Sequence, residues 1–286
     1  MKEEEFIQII GEEIGTEFIG DDCAYLKDLG IVVSQDSLVE GVHFKREWIS
    51  PYQLGYKSVA VNISDILASG AKPAYVTIAL SLPNDIEADF VQEFYRGAKK
   101  ALFGAKIVGG DITGSDKIFI SISAIGKAEG RRISSRKNAK AGYKVISTGE
   151  HGLSALGLIE LQRGGNKEKL IKAHLEPKLN EKFSRNIAEK IKVDYAMMDT
   201  SDGLADALFK IAQASGVSID AKEISGIFGA EDYNLVAAVP EEFLKELDEY
   251  DIIAEVLEKQ DYILKIGDKK YSKYSELNVY DHFHVT

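Results

Sequence analysis

Val61-Asn62-Ile63-Ser64-Asp65-Ile66-Leu67-Ala68-Ser69-Gly70-Ala71-Lys72-Pro73 is the stretch around which the chain is organised. It reads as the second half of a helix that begins at Ser50-Pro51. Ser50 is a good N-cap, and Pro51 suits the first helical position, where its missing N–H costs nothing. Gly70 is placed to end the helix, with Pro73 beyond it to block continuation. Leu54, Ala60, Val61, Ile63, Ile66 and Leu67 make the segment apolar on more than one side, so it is expected to be largely buried. Asp65 sits inside that run. An ionised carboxylate there is costly unless a cation or several donors compensate it, so this misfit asks for a metal ion or a basic partner.

The 286 residues are enough for one large domain or two ordinary ones, with 45% hydrophobic and 28% charged residues as in soluble globular proteins. A formal net charge of −11 argues against a general nucleic-acid or anionic-membrane binder. Phosphate substrates stay open, because divalent cations invert the field of an acidic site. With Cys23 as the single cysteine, an intramolecular disulfide and a cysteine-based zinc site are excluded. The charged start, MKEEEF, lacks an apolar leader and no run is long enough to span a bilayer, so a cytoplasmic protein is expected.

Residues 2–10 suggest a short helix with Phe6, Ile9 and Ile10 on one side. Ile31 to Asp36 is a β-branched run, a predicted strand with Asp36 at its C-terminal end. Ala74 to Leu82 is strand-like until Pro83. Asp85 is placed to cap a helix running to Phe103 with Phe90, Phe94, Ala98 and Leu102 on one face. Lys106 to Asp111 reads as a strand ending at Gly109-Gly110-Asp111, and Ile118 to Ile125 as another. The basic stretch Arg131 to Lys140 has no apolar period and reads as a loop between two domains, 1–137 and 138–286. Beyond it come a strand from Tyr143 to Ser147, the glycine-rich turn Thr148 to Gly152, and a helix from Leu153 to Gln162. Asn180 is placed to cap the next helix. Tyr195 to Met198 is a strand leading into Asp199-Thr200-Ser201-Asp202-Gly203 and a helix to Ser215. The last seventy or so residues alternate short strands with one amphipathic helix near Glu241 to Leu247. The pattern is α/β in two domains.

Asp21-Asp22, Asp36, Asp65, Asp111, Asp199 and Asp202 share a context, an apolar approach followed by small residues and an acid. Any one alone is equally well a strand-end or cap residue bonding its own backbone. Together they offer the hard oxygen donors that Mg²⁺ sites on substrate phosphates need, in a reaction where the protein mainly positions groups and neutralises charge. No Walker A motif, dinucleotide fingerprint or protein-kinase set is present; Gly55-Tyr56-Lys57-Ser58 lacks the glycine beside the lysine. Gly109-Gly110 permits either a close backbone approach to a ligand or a tight turn.

Seven ordered segments resemble the thiamine-monophosphate kinase family, within the aminoimidazole-ribonucleotide-synthetase-like ATP-binding superfamily. They are Gly20 to Ala24, Ser34 to Phe44, Val61 to Asp65, Gly109 to Asp111, Asp199 to Leu204, Gly229 to Tyr233, and Tyr280 to Phe283. The resemblance implies Mg²⁺-dependent in-line transfer of the ATP γ-phosphoryl group to thiamine monophosphate, giving thiamine diphosphate and ADP. It implies several Mg²⁺ ions, with Asp22, Ser34, Gln35, Asp36, Asp65, Asp111, Asp199 and Asp202 as ligands. Tyr95, Gly110, Asp111, Arg136 and Ser201 would contact ATP; His43, Glu231 and Tyr280 would contact the acceptor. It also implies a homodimer whose N-terminal, ATP- and metal-binding domains share a barrel, beside a C-terminal α/β domain, with neither nucleic acid nor membrane as partner.

The chain departs from the family pattern at Gln35, where threonine is usual, at Ala230, where glycine is usual, and at Val279. The rival readings are a superfamily relative with another acceptor, selenophosphate-synthetase-like or hydrogenase-maturation-like, and a non-catalytic nucleotide-binding regulator. Cys23 beside the acidic pair does not match the reactive N-terminal cysteine and lysine of the first. The retained aspartates count against the last.

Overall fold

The computed structural model of the chain describes residues 3–277 and 279. In order these form α1 (Glu3–Ile14), β1 (Ala24–Leu26), β2 (Ile31–Val39), α2 (Pro51–Ala68), β3 (Lys72–Leu82), α3 (Ala88–Lys100), β4 (Lys106–Gly114) and β5 (Phe119–Lys127). After a loop come β6 (Lys144–Ser147), α4 (Leu153–Gln162), α5 (Glu168–Leu175), α6 (Glu181–Lys190), β7 (Ala196–Asp199) and α7 (Leu204–Ser215). The chain closes with β8 (Ser218–Ala221), β9 (Leu235–Val239), β10 (Asp251–Leu257), β11 (Leu264–Ile266) and β12 (Lys269–Tyr271). Two sheets result among the described residues, β1-β2-β5-β3-β4 from the first half and β12-β11-β8-β10-β6-β9-β7 from the second. This is the two-domain α/β arrangement expected.

α2 begins and ends where its sequence says. Ser50 Oγ accepts from Gln53 N–H, and Gln53 Oε1 accepts from Ser50 N–H, a reciprocal capping box. Gly70, at φ +82°, turns the chain out after the helix in a conformation that side chains with a Cβ avoid. The helix is buried on several sides because it lies between the two halves, against β2 and β5, against α3, and against α6 and β7. Its contact with α3 is close. A Cβ on Gly55 would meet Phe94 O at 1.9 Å, and one on Gly97 would meet Tyr52 O at 1.8 Å. Val76, Ile78 and Leu80 of β3 and Ile120, Ile122 and Ala124 of β5 are buried in the same core, alternating with more open residues as one-sided strands do. A second core surrounds α7, with Leu204, Leu208, Phe209 and Ile211 packed against Val236, Ile219 and Val256.

Several expectations are corrected. Asp36 is not at a strand end: β2 pairs with β5 through Val39↔Phe119. Gly109-Gly110-Asp111 does not end β4, which stays paired with β3 to Gly114. Gly110 is close to backbone rather than turning, since a Cβ there would meet Ile78 O at 1.8 Å. Asp85 caps nothing, because Arg46 takes its carboxylate at 2.9 Å and the α3 N-cap falls on Glu87. Asn180 stands at the α6 N-cap but donates its amide to Thr148 Oγ1 at 2.9 Å instead of capping. α1 runs on to Ile14, and Phe6, Ile9 and Ile10 are partly exposed. The segment after Pro240 is a 3₁₀ helix, Glu241–Glu246, and α5 had no counterpart in the sequence reading.

Candidate functional site

The C-terminal half of α2 meets β2, the turn at Asp21-Asp22 and the end of β7 at one place. Asp22, Asp65 and Asp199 each bring a carboxylate oxygen there, all within 4.8 Å of one another. Asp199 is fully buried; Ser64 Oγ–H donates to its Oδ2 at 2.6 Å and Ser201 N–H to its Oδ1 at 3.2 Å. Burial, and after it the Asp22 charge, pushes the Asp199 carboxyl up to about 7. Burial and then the charges of Asp36, Asp199 and Asp22 hold Asp65 well above the usual aspartate range. Asp36 is fixed beside them by its N–H, which donates to Asn62 Oδ1 at 2.9 Å. Ser34, on the same face of β2, is buried with no well-formed hydrogen bond to its Oγ.

Arg136 reaches this cluster through Nη2–H, which donates to Asp22 Oδ1 at 2.8 Å. Burial works against the guanidinium charge, but Asp22, with Asp206 and Asp21, more than offsets it and the group's pKa is raised. The Arg136 Nε is buried and finds no acceptor. Asp21 serves differently from its neighbour: its Oδ1 accepts from Arg136 N–H at 2.7 Å and Ser135 Oγ–H at 3.1 Å, shaping the basic loop. That loop is therefore anchored, and Arg131 likewise donates to Ala71 O at 3.1 Å. Crowded hard oxygens with raised proton affinity, with the Ser34 hydroxyl buried beside them, fit a divalent cation such as Mg²⁺.

Two turns back along α2 lies a second acid with different company. Glu231 is in salt-bridge contact with Lys57 Nζ at 3.2 Å, and its Oε2 lies 3.4 Å from His174 Nδ1. Burial alone would raise the Glu231 carboxyl, but Lys57 and then His174 draw it below the ordinary glutamate value. His43 adds to the same effect, while its Nδ1 accepts from Val39 N–H at 3.0 Å. The backbone around Glu231 is held in a strained form, with Glu231 at φ +62° and Tyr233 at φ +52°. Ser201 O accepts from Glu231 N–H at 2.7 Å, and the Asp232 carboxylate accepts from Ser154 N–H at 2.9 Å. Ser201 thus touches both acidic places.

Other expected residues stand apart within the single chain. Gln35 points to the opposite face of β2 from Asp36, where its Oε1 accepts from Ser123 Oγ–H at 2.9 Å; only its backbone carbonyl could serve a metal on the cluster side. Gly110 is in register with Asp36 through Ile122 and Ile78, three strands away, so Asp111 lies about 14 Å from Asp36 at ordinary strand spacing. Tyr95 is on α3, edge-on to Phe94. Asp202 pairs with Lys210 at 3.1 Å rather than joining the three clustered carboxylates. Tyr280, with His282 and Phe283, lies outside the described residues. A groove of about 1100 Å³ opens at Asp21, Cys23 and Ser135, yet Asp22, Asp65 and Asp199 do not line it.

Lys57, Asn62, Ser64 and His174 escaped the sequence reading. Lys57 carried the same signal as Asp65, a charge in an apolar helix, but its neighbours drew attention only to a missing Walker motif.

Residues 20–128 match the family described as AIR synthase related protein, N-terminal domain. A thiamine-monophosphate kinase of Synechococcus elongatus is 31% identical, covering 87% of each chain, and one of Aquifex aeolicus is 34% identical, covering 82% of this chain and 85% of its own. A solved structure described as AaThiL complexed with AMPPCP and TMP superposes with a TM-score of 0.88, at 31% identity, over 99% of this chain and 97% of its own.

Proposed function

The chain belongs to the thiamine-monophosphate kinase family, and on that premise we propose how its residues carry out the family's reaction. The protein is an ATP-dependent kinase that phosphorylates thiamine monophosphate to thiamine diphosphate, releasing ADP. The observation that carries the site assignment is the convergence of Asp22, Asp65 and Asp199 within 4.8 Å beside Arg136 and Ser201. In this reading Asp22, Asp36, Asp65 and Asp199, with Ser34 and the Gln35 carbonyl, hold Mg²⁺ ions. When bound, the ions neutralise charge on the two phosphates that must meet. Arg136, already oriented by Asp22, presents its unsatisfied Nε–H to nucleotide phosphate, and Ser201 adds a contact. Asp202, now paired with Lys210, would add a carboxylate ligand. Glu231, His43 and Tyr280 face the acceptor, with Tyr280 offering an aromatic surface to the thiazolium.

The remaining ligands come from a second copy. Asp111 and Gly110 are too far across the sheet to reach the cluster of their own chain, Tyr95 stands on α3 beside them in this reading, and among the described residues β4 is an edge strand with Val108 and Ile112 exposed. Tyr75 and Phe119 are exposed on the sheet face away from α2. An exposed edge of this kind invites pairing, which supports a homodimer whose N-terminal domains, residues 1–137, share a barrel, with 138–286 as the C-terminal domain. Among the described residues no helix is long and apolar enough to cross a membrane, which accords with a cytoplasmic enzyme.

The test is product analysis. Purified protein with ATP, Mg²⁺ and thiamine monophosphate should form thiamine diphosphate, detected as its fluorescent thiochrome, with none formed from free thiamine. ATP binding without that product would leave the acceptor assignment wrong.

A further inference from the structure

Position 57 of α2 is 1% exposed, and a lysine there is not what stability asks for. A buried ion pair is commonly no better than an apolar pair of the same volume, whereas stranding one partner is costly. The Lys57 Nζ lies 3.2 Å from Glu231 Oε1 and 3.5 Å from His174 Nε2. His174 is itself buried, and its Nδ1 lies 3.0 Å from Ser154 Oγ and 3.4 Å from Glu231 Oε2. Burial and then the Lys57 charge push the His174 imidazole down to about 4, so the ring is neutral. Lys57 then donates to Nε2, which assigns the proton to Nδ1, facing Ser154 and Glu231.

Seven residues on, Ser64 shares the helix face with Lys57 and donates to Asp199. One face of α2 therefore fixes both acidic places, about 10 Å apart along its axis. We propose that Lys57, supported by His174, is a positioning residue for acceptor binding: it clamps the Glu231 carboxylate at a set distance from the Asp22–Asp65–Asp199 cluster, so that the cationic phosphate ester is oriented while nucleotide binding is untouched. The proposal rests on the reading that Glu231 faces the acceptor. Lys57 is too enclosed to touch substrate and acts through Glu231. The charged and titratable groups that surround Glu231 are Lys57 on α2, His174 on α5, His43 after β2, and Asp232 and Tyr233 on its own loop. Without Lys57, the cation that most favours Glu231 ionisation is lost, and burial weighs more heavily against the carboxylate.

The experiment is initial-rate kinetics on the full chain near neutral pH, varying thiamine monophosphate and ATP separately, for wild type, Lys57→Met, Glu231→Gln and the double variant. In Lys57→Met the KM for thiamine monophosphate should rise about tenfold near neutrality. Its KM for ATP should stay within about twofold, a change too small to signal a lost contact. In the Glu231→Gln background, Lys57→Met should add nothing. An unraised acceptor KM in Lys57→Met, or equal losses for ATP and acceptor, overturns the proposal while leaving Glu231 in place. An unchanged acceptor KM in Glu231→Gln overturns the Glu231 assignment and the clamp together. Should Lys57→Met fail to fold, the double variant lacks the stranded carboxylate: acceptor kinetics matching Glu231→Gln support the clamp, and a further loss contradicts it.

Discussion

Two groups of carboxylates sit along one helix and are treated in opposite ways. Asp199 is pushed up to about 7 by burial and the Asp22 charge, and Asp65 is raised with it. Glu231, half-buried, is drawn below its ordinary value by Lys57 and then His174. Both groups pay the desolvation of burial; what separates them is whether the chain supplies its own cation. The Glu231 group is complete as folded. The aspartate group is not, since Arg136 engages Asp22 alone among the three clustered carboxylates, so a cation from solution is what balances it.

The largest effect expected from breaking this contrast is on turnover. Asp65→Asn removes a central ligand and should lower kcat by roughly a hundredfold or more, since even outer-shell losses at metal sites cost 10–100-fold. Folding should survive, because an amide relieves repulsion among the remaining acids; circular dichroism and a melting curve check this. Next is Glu231→Gln, which should raise KM for thiamine monophosphate about tenfold, as loss of one charge-assisted contact does, and leave KM for ATP unchanged. The two variants should therefore fail on different substrates, which sharpens the comparison. The least effect is at the far end of the helix. Ser50→Ala removes the cap and should cost about 1 kcal/mol of stability, read by denaturant unfolding, with kcat unaltered.

Much of this was legible beforehand. Ser50, Pro51 and Gly70 mark the limits of α2, and Asp65 is conspicuous because a carboxylate in an apolar run needs compensation. Lys57 obeys the same rule, yet its partner lies 174 residues later in the loop after Gly229, a contact that local pattern does not carry. Asp36 and Asp111 looked like strand ends because small residues and an acid follow β-branched runs; strand pairing decided otherwise, since β5 and β3 continue to hold their neighbours. Asp85 was misread because Arg46, far off in sequence, claims it. The 14 Å gap between Asp36 and Asp111 depends on strand order, which periodicity does not encode.

The account's central claim concerns which acids need a cation, and proton linkage tests it. For Asp65 and Asp199 the folded pKa lies above the unfolded value of 3.8. Between pH 4 and 7 the folded state thus binds more protons than the unfolded one, and these groups lose stabilising effect as pH rises. Mg²⁺, binding the ionised form, should offset that loss. The measurement is the melting temperature of nucleotide-free protein with and without Mg²⁺ from pH 5 to 8, in wild type, Asp65→Asn and Glu231→Gln. The account predicts a Mg²⁺ increment near zero at pH 5 that grows to several degrees by pH 8, and that largely disappears in Asp65→Asn but persists in Glu231→Gln. A Mg²⁺ increment independent of pH, or one that Asp65→Asn leaves intact, would contradict it.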